Sequence, residues 1–267
     1  MRLRNNDSTR EEILTRYFPQ YRLIAPQAHS GLGGASCIIE QGERRLVLRQ
    51  NHDPDAPASH FRRQFRALRR LPADLVPAPR FFRQGWMAVD YLDGDVKSAL
   101  PDTPELAAML YHLHQQQRLG WRIALLPLLE HYWQQASPKR RTPVWLAHLK
   151  RLRKAGEPQP IRLSPLHMDV HAGNIVHTSG GARLIDWEYA GMQDPHVDIA
   201  MFCIYSMYDR EHVDKLIDAY FTEGCSAEIR IKIYCYIAVC GLLWSNWCEY
   251  KRNRSEERRV GKECLRL

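Results

Sequence analysis

Eight consecutive residues, His167-Met-Asp-Val-His-Ala-Gly-Asn174, are followed twelve positions later by Asp186 in Leu-Ile-Asp-Trp-Glu. Phosphoryl transfer needs a carboxylate to orient a hydroxyl nucleophile and hard oxygen donors to hold magnesium against a nucleotide's phosphates. Asp169 suits the first task, as a catalytic base. Asn174 and Asp186 suit the second, as magnesium ligands, with ATP as the expected phosphoryl donor. Gly173 lets the backbone turn so that these groups converge. His171, two residues past the base, is a further candidate for substrate contact, whereas His167 is expected to shape the loop by packing.

Two other chemistries use the same residues. His167, Asp169 and His171 could form the metal triad of a hydrolase, since imidazole and carboxylate suit zinc or manganese; that reading needs more ligands and leaves Asn174 and Asp186 unexplained. A nucleotide-binding pseudokinase would have lost the base or a metal ligand, and this chain keeps all three.

Several elements must position these groups. A capping box at Ser8 and Glu11 predicts a short helix through Tyr17. The glycine cluster that includes Gly31, Gly33, Gly34 and Ser36 leads into β-like runs at 37–40 and 45–49, a phosphate-loop candidate on a hairpin. Phe61, Phe65 and Leu68 recur at helical spacing beneath an arginine-rich outer face. A strand is expected at 86–91, ended by Asp93-Gly94-Asp95. Helical patterns follow around Leu106 to Leu113 and over 125–135 and 144–152. After the motif, a tight hairpin turns at Thr178-Ser179-Gly180-Gly181. A helix carrying Val213 to Phe221 follows, then a helix over 229–250 that is apolar nearly all round and so expected to be central. The fold class is α+β and bilobal: residues 1–93 form a small β-rich, nucleotide-binding lobe, and residues 94–253 a larger helical lobe for catalysis and acceptor binding.

Composition narrows the class. At 267 residues with 45% hydrophobic side chains, the chain can bury a sizeable core. Its net charge of +8 is scattered or carried on helix faces without an aromatic-studded surface, so no nucleic-acid partner is expected. The seven cysteines show neither zinc spacing nor a disulfide framework, which fits a cytoplasmic protein. The most apolar run, 233–248, is too short for a bilayer and includes Asn246, so no membrane partner is expected. Oligomeric state is left open.

The His-x-Asp-x-His-x-x-Asn run, the Ile-Asp-Trp-Glu segment and Asp198 in Asp-Pro-His-Val-Asp resemble the aminoglycoside phosphotransferase and choline kinase superfamily. Over 1–191 the likeness is to its bacterial thiamine kinases, carried by Phe-Pro-Gln from Phe18, His-Asp-Pro-Asp-Ala-Pro from His52, Leu-His-Gln-Gln from Leu113, and the run from Leu163 to Asn174. The resemblance implies a protein-kinase-like fold and a cationic alcohol as acceptor, thiamine first and choline as the alternative. It implies the glycine loop over the phosphates, Asp90, Tyr91 and Leu92 as the adenine-contacting linker, and Asp198 as an acid bracing the catalytic loop. The phosphate-contacting lysine position is Arg49 here, and Gln64 stands where its glutamate partner is usual. Trp244 and Trp247, with Tyr250 at the rim, resemble the aromatic wall that holds choline in choline kinases. From 185 to 253 the text resembles bacterial choline kinase, so a junction between two genes is expected at 185–191. Residues 254–267 resemble a translated sequencing adapter, a non-native tail standing where the natural gene is expected to continue past Asn253.

Overall fold

The computed structural model describes residues 8–24, 36–51, 58–83, 85–97 and 102–264. In chain order they form α1 (Arg10–Tyr17), β1 (Arg22–Ile24), β2 (Ser36–Gln41), β3 (Arg44–Gln50), α2 (Ala58–Arg70), β4 (Pro79–Arg83), β5 (Trp86–Asp90), β6 (Gly94–Val96), α3 (Thr103–His114), α4 (Leu125–Gln135), α5 (Pro143–Ala155), β7 (Ser164–Leu166), β8 (Ile175–Thr178), β9 (Gly181–Leu184), β10 (Gly191–Gln193), α6 (His196–Tyr205), α7 (Arg210–Tyr220) and α8 (Ala227–Cys264). They fall into two compact units. One holds the first 102 residues with 116–119 and 169–190; the other holds 103–115, 120–168 and 191–267.

The first unit is built on an antiparallel sheet of order β1-β2-β3-β5-β4. β2 and β3 make a hairpin whose turn needs Gly42 in the left-handed region, at φ 58°. Period-2 alternation sends Leu46 and Leu48 to the face where Ile39, Trp86 and Ala88 pack on Ile13 and Phe18. On α2, Phe61 and Phe65 meet the Phe82 ring at 5.7 and 4.9 Å, which leaves Arg62, Arg63, Arg66 and Arg69 exposed. A second sheet, β6-β8-β9, carries the hairpin that leads from Asn174 to Asp186.

Two expectations here need correction. The capping box of α1 is Thr9 with Glu12, one residue later than Ser8 with Glu11: the Thr9 hydroxyl accepts from Glu12 N at 3.2 Å and Glu12 Oε2 accepts from Thr9 N at 3.0 Å. Ser8 is used differently, its carbonyl accepting from Trp86 Nε1 at 2.8 Å. Residues 93–95 do not simply end a strand, because Gly94 and Asp95 open β6, which pairs with β8. A Cβ at Gly94 would collide with the His177 carbonyl, so this close pairing depends on glycine.

In the second unit α4 and α6 pack on α8, α3 packs on α7, and β7 pairs with β10. α8 is amphipathic rather than buried all round: Ile233, Tyr236, Cys240, Leu243 and Asn246 are buried, while Ile231, Cys235 and Ala238 are exposed. Its backbone stays helical through Cys264, so most of 254–267 continues this helix. Among the described residues no helix is long and apolar enough to cross a membrane, and Cys37, Cys203, Cys225, Cys235, Cys240 and Cys248 are free thiols.

Candidate active site

Asp169 and Asn174 are tied together within the first unit. The Asn174 side-chain amide donates to Asp169 O at 2.9 Å and to Asp169 Oδ2 at 3.0 Å. Both bonds leave from Nδ2, so the amide is oriented with Oδ1 as its remaining coordinating atom. His171 closes the same turn: its Nδ1 accepts from Gly173 N at 3.1 Å, and its Nε2 lies 3.8 Å from Asp169 Oδ2. With Nδ1 accepting, the imidazole proton belongs on Nε2, facing the carboxylate. A Cβ on Gly173 would come within 2.9 Å of the His171 ring, so glycine is what lets that ring lie over the turn.

Asp186 follows β9 in the left-handed region, at φ 64°. Strain of that kind gathers where a side chain must be aimed against backbone preference. Its Oδ1 accepts from Arg49 Nη2 on β3 at 2.9 Å. The hairpin is held in register by Ile185 N donating to Asn174 O at 3.0 Å, which places the two magnesium candidates on neighbouring strand ends. Arg49 pairs with Asp186, and Gln64 is buried on α2.

A carboxylate and a carbonyl oxygen form a hard, all-oxygen donor pair, which fits magnesium completed by phosphate oxygens and water. The hydrolase triad fares worse. His167 is fully buried, and the described residues contain no group of three or more His, Cys, Asp and Glu able to hold a metal.

Other expected site residues are distributed as follows. Gly31, Gly33 and Gly34 lie outside the described residues, and Ser36 begins β2. Asp90 ends β5 with its carboxylate held by Arg80, whose Nε donates at 2.7 Å; Tyr91 N donates to Arg45 O at 3.0 Å, and Leu92 follows. On α8 in the second unit, Trp244 packs edge-on against Tyr205 at 5.8 Å, Lys251 lies 5.4 Å from the Trp247 ring centre, and Tyr250 lies against Tyr132 at 5.2 Å. These three aromatics have separate neighbours, and all stay partly exposed.

The second unit also contains a buried polar cluster around the backbone of His167 and Met168. Fully buried Asp198 on α6 accepts from His167 N at 2.8 Å and Met168 N at 2.7 Å. His114 Nε2 lies 3.3 Å from Asp198 Oδ2, and its Nδ1 lies 2.8 Å from the Tyr220 hydroxyl. Burial pushes the His114 pKa down despite the Asp198 carboxylate, so the ring is neutral. Its Nε2–H donates to Asp198 and its Nδ1 accepts from Tyr220.

Sequence reasoning missed two of these groups. His114 occurs in Leu-His-Gln-Gln, where its pairing across 84 residues leaves no local trace. The other is Asp194. Its carboxylate sits 2.9 Å from Lys232 Nζ and 2.8 Å from His196 Nδ1, and accepts from Ile161 N at 3.1 Å. Burial alone would raise its pKa, but His196 and Lys232 outweigh that and hold it far below the usual carboxylate range.

A kinase-like pair of sheets with an acid, an amide and a second acid flanking one hairpin defines the class as a phosphotransferase. Residues 25–233 match the Phosphotransferase enzyme family, and the chain belongs to it. Among curated proteins it is similar to the thiamine kinase of Salmonella dublin, 53% identical over 255 residues that cover 95% of this chain and 92% of that one. The thiamine kinase of Salmonella paratyphi C is 59% identical over 216 residues, 81% of this chain and 77% of that one. In fold it is similar to choline kinase LicA of Streptococcus pneumoniae, with TM-score 0.67, 18% identity and coverage of 91% and 89%. An alignment covering 95% of the chain must run well past Gly191, so the likeness to thiamine kinases does not stop at the expected junction.

Proposed function

We propose that this chain transfers the γ-phosphoryl group of ATP to the primary hydroxyl of thiamine. The observation that carries the acceptor assignment is the 53% identity to a thiamine kinase across 95% of the chain. The hydrogen-bonded Asp169–Asn174 turn gives that assignment a chemical route.

Asp169 accepts a hydrogen bond from the acceptor hydroxyl and turns its oxygen toward the γ-phosphorus. As the new O–P bond forms, the bond from the γ-phosphorus to the β-bridging oxygen breaks, ADP leaves, and the hydroxyl proton passes to Asp169. His171 Nε2 lies 3.8 Å from the same carboxylate, within reach of a hydroxyl or water held there. Asn174 Oδ1 and the Asp186 carboxylate would hold magnesium, which when bound neutralises charge on the β- and γ-phosphates. Arg49 exchanges the Asp186 carboxylate for a phosphate oxygen when nucleotide arrives, a task its guanidinium fork performs well. Gly31, Gly33, Gly34 and Ser36 cover the phosphates, and Asp90, Tyr91 and Leu92 border the adenine. The thiazolium cation of thiamine rests against Trp244, Trp247 and Tyr250, where indole faces attract a desolvated positive charge. A cytoplasmic setting, where ATP is supplied and thiols stay reduced, fits this reading.

The test is to incubate purified protein with ATP, magnesium and, separately, thiamine, choline, ethanolamine and an aminoglycoside, then measure ADP and identify the product by mass spectrometry. Thiamine monophosphate as the main product supports the proposal. Preferential phosphorylation of choline, or none of the four, overturns it.

A further inference from the structure

A cleft of about 510 Å³ opens within the first unit where β3, β4 and β5 reach the linker, and Arg44, Arg45, Arg80 and Arg183 all line it, with Asp90 as the acid in its wall. Strand register separates much of this cleft from the catalytic groups. Along β3, Arg45, Val47 and Arg49 share one face, and Arg49 there meets Asp186. Arg44 belongs to the opposite face with Leu46 and Leu48. Asp90 lies directly across from Leu46 and so shares that opposite face, and Arg80 joins it by bonding Asp90.

The charges do not cancel. Asp90 occupies Arg80, and Asp93 lies 3.0 Å from Arg45. Arg44 and Arg183 make no ion pair among the described residues, and Arg183 Nε is buried without a hydrogen-bond partner. Four guanidinium groups against two carboxylates leave an excess of two positive charges. A phosphate monoester carries close to two negative charges at neutral pH and offers the oxygen geometry that guanidinium groups bind in pairs. The opening is in the size range of small-molecule sites, larger than a bare phosphate ion needs. Ala73, Ala78 and Leu92 give it an apolar border for an organic group.

We propose that this cleft is a second anion site that takes an organic phosphate monoester, with Arg44 and Arg183 as the phosphate-binding pair. Two sources share that chemistry, a nucleoside monophosphate and the phosphorylated alcohol that this class of enzyme releases. Arg45 reaches into the cleft while also lying 4.4 Å over the Tyr91 ring, so an occupant would bear on the linker.

The experiment is calorimetric titration of the full chain, without magnesium or ATP, using AMP, thiamine monophosphate and inorganic phosphate as probes. It compares the unmodified chain with Arg44→Gln, Arg44→Gln/Arg183→Gln and Arg49→Gln. Monoester binding should weaken by about tenfold in the Arg44 variant and further in the double variant, the scale of a lost charge-assisted hydrogen-bond set. Arg49→Gln should leave that component in place. The source is the monoester whose binding weakens in the Arg44 variants, AMP, thiamine monophosphate or both; AMP binding that is insensitive to Arg44 belongs to the nucleotide site and counts against the proposal. Unchanged monoester binding in both Arg44 variants overturns the proposal, as does inorganic phosphate binding as tightly as the esters. Arg44 is exposed, so its substitution does not threaten the fold. No turnover is involved, so failure here is separate from failure of the acceptor panel.

Discussion

Met168 holds a left-handed backbone conformation, φ 70°, and its N–H donates to Asp198 Oδ1 at 2.7 Å. A branchless apolar side chain gains nothing from that conformation, which costs on the order of 1–3 kcal/mol. Asp198, accepting this bond and a second from His167 N, supplies the compensation one residue before Asp169 in the chain.

Replacing Asp198 by Ala strands two buried backbone donors and removes the partner of His114. Each buried donor left unsatisfied costs about 1–3 kcal/mol, so stability should fall by roughly 3 kcal/mol or more. Urea unfolding checks this. At temperatures where the variant stays folded, turnover should fall more than nucleotide affinity does.

His114 gives stability a pH dependence of definite sign. Its folded pKa lies below the ordinary value of 6.5, so below that value the unfolded chain binds a proton that the folded chain resists. Its stabilising contribution is therefore complete above about pH 6.5 and is lost as pH falls below it. The melting temperature should drop between pH 7.5 and 5.5, and His114→Gln, which cannot titrate, should show a smaller drop. Equal drops in both proteins would remove His114 from the account.

Arg49 can be separated from its ion pair. Because Arg49 and Asp186 are both partly exposed, the pair itself contributes little to stability. Arg49→Ala should leave the melting temperature almost unchanged while raising the KM for ATP about tenfold, the loss of a charge-assisted phosphate contact. Arg49→Lys should recover part of the difference. Steady-state kinetics on the three proteins decides it.

Trp247 already carries an ammonium group, Lys251 Nζ, 5.4 Å from its ring centre. A cation over an indole is worth roughly 0.5–2 kcal/mol, so Trp247→Ala should raise the KM for thiamine by about two- to thirtyfold. Trp244→Ala should do the same. If both variants lose thermal stability with KM unchanged, these indoles are packing groups.

How much of this could be read from the sequence depended on whether the signal was local. The β8–β9 hairpin follows from a four-residue turn between β-like runs, and α4 coincides with the expected 125–135. The α1 cap lies one residue beyond the expected one because Ser8/Glu11 and Thr9/Glu12 present the same capping pattern, and the structure uses the second. β6 was hidden behind Asp-Gly-Asp, which looks like a turn until β8 is there to pair with it. Likewise, the sequence marks Asp169, Asn174 and Asp186 as a group, because they flank one hairpin. The Asp198–His114–Tyr220 brace and the Asp194–Lys232 pair join residues dozens of positions apart, and no periodicity announces them.

The most direct test of the central claim is the rate of thiamine phosphorylation by Asp169→Asn, with ATP binding measured on the same preparation. Asparagine keeps the size of the side chain and can still bond Asn174, but it cannot take the hydroxyl proton. The account predicts a fall in kcat of about a hundredfold or more, the usual worth of a general base, with ATP affinity nearly unchanged. Turnover equal to that of the unmodified chain would contradict it.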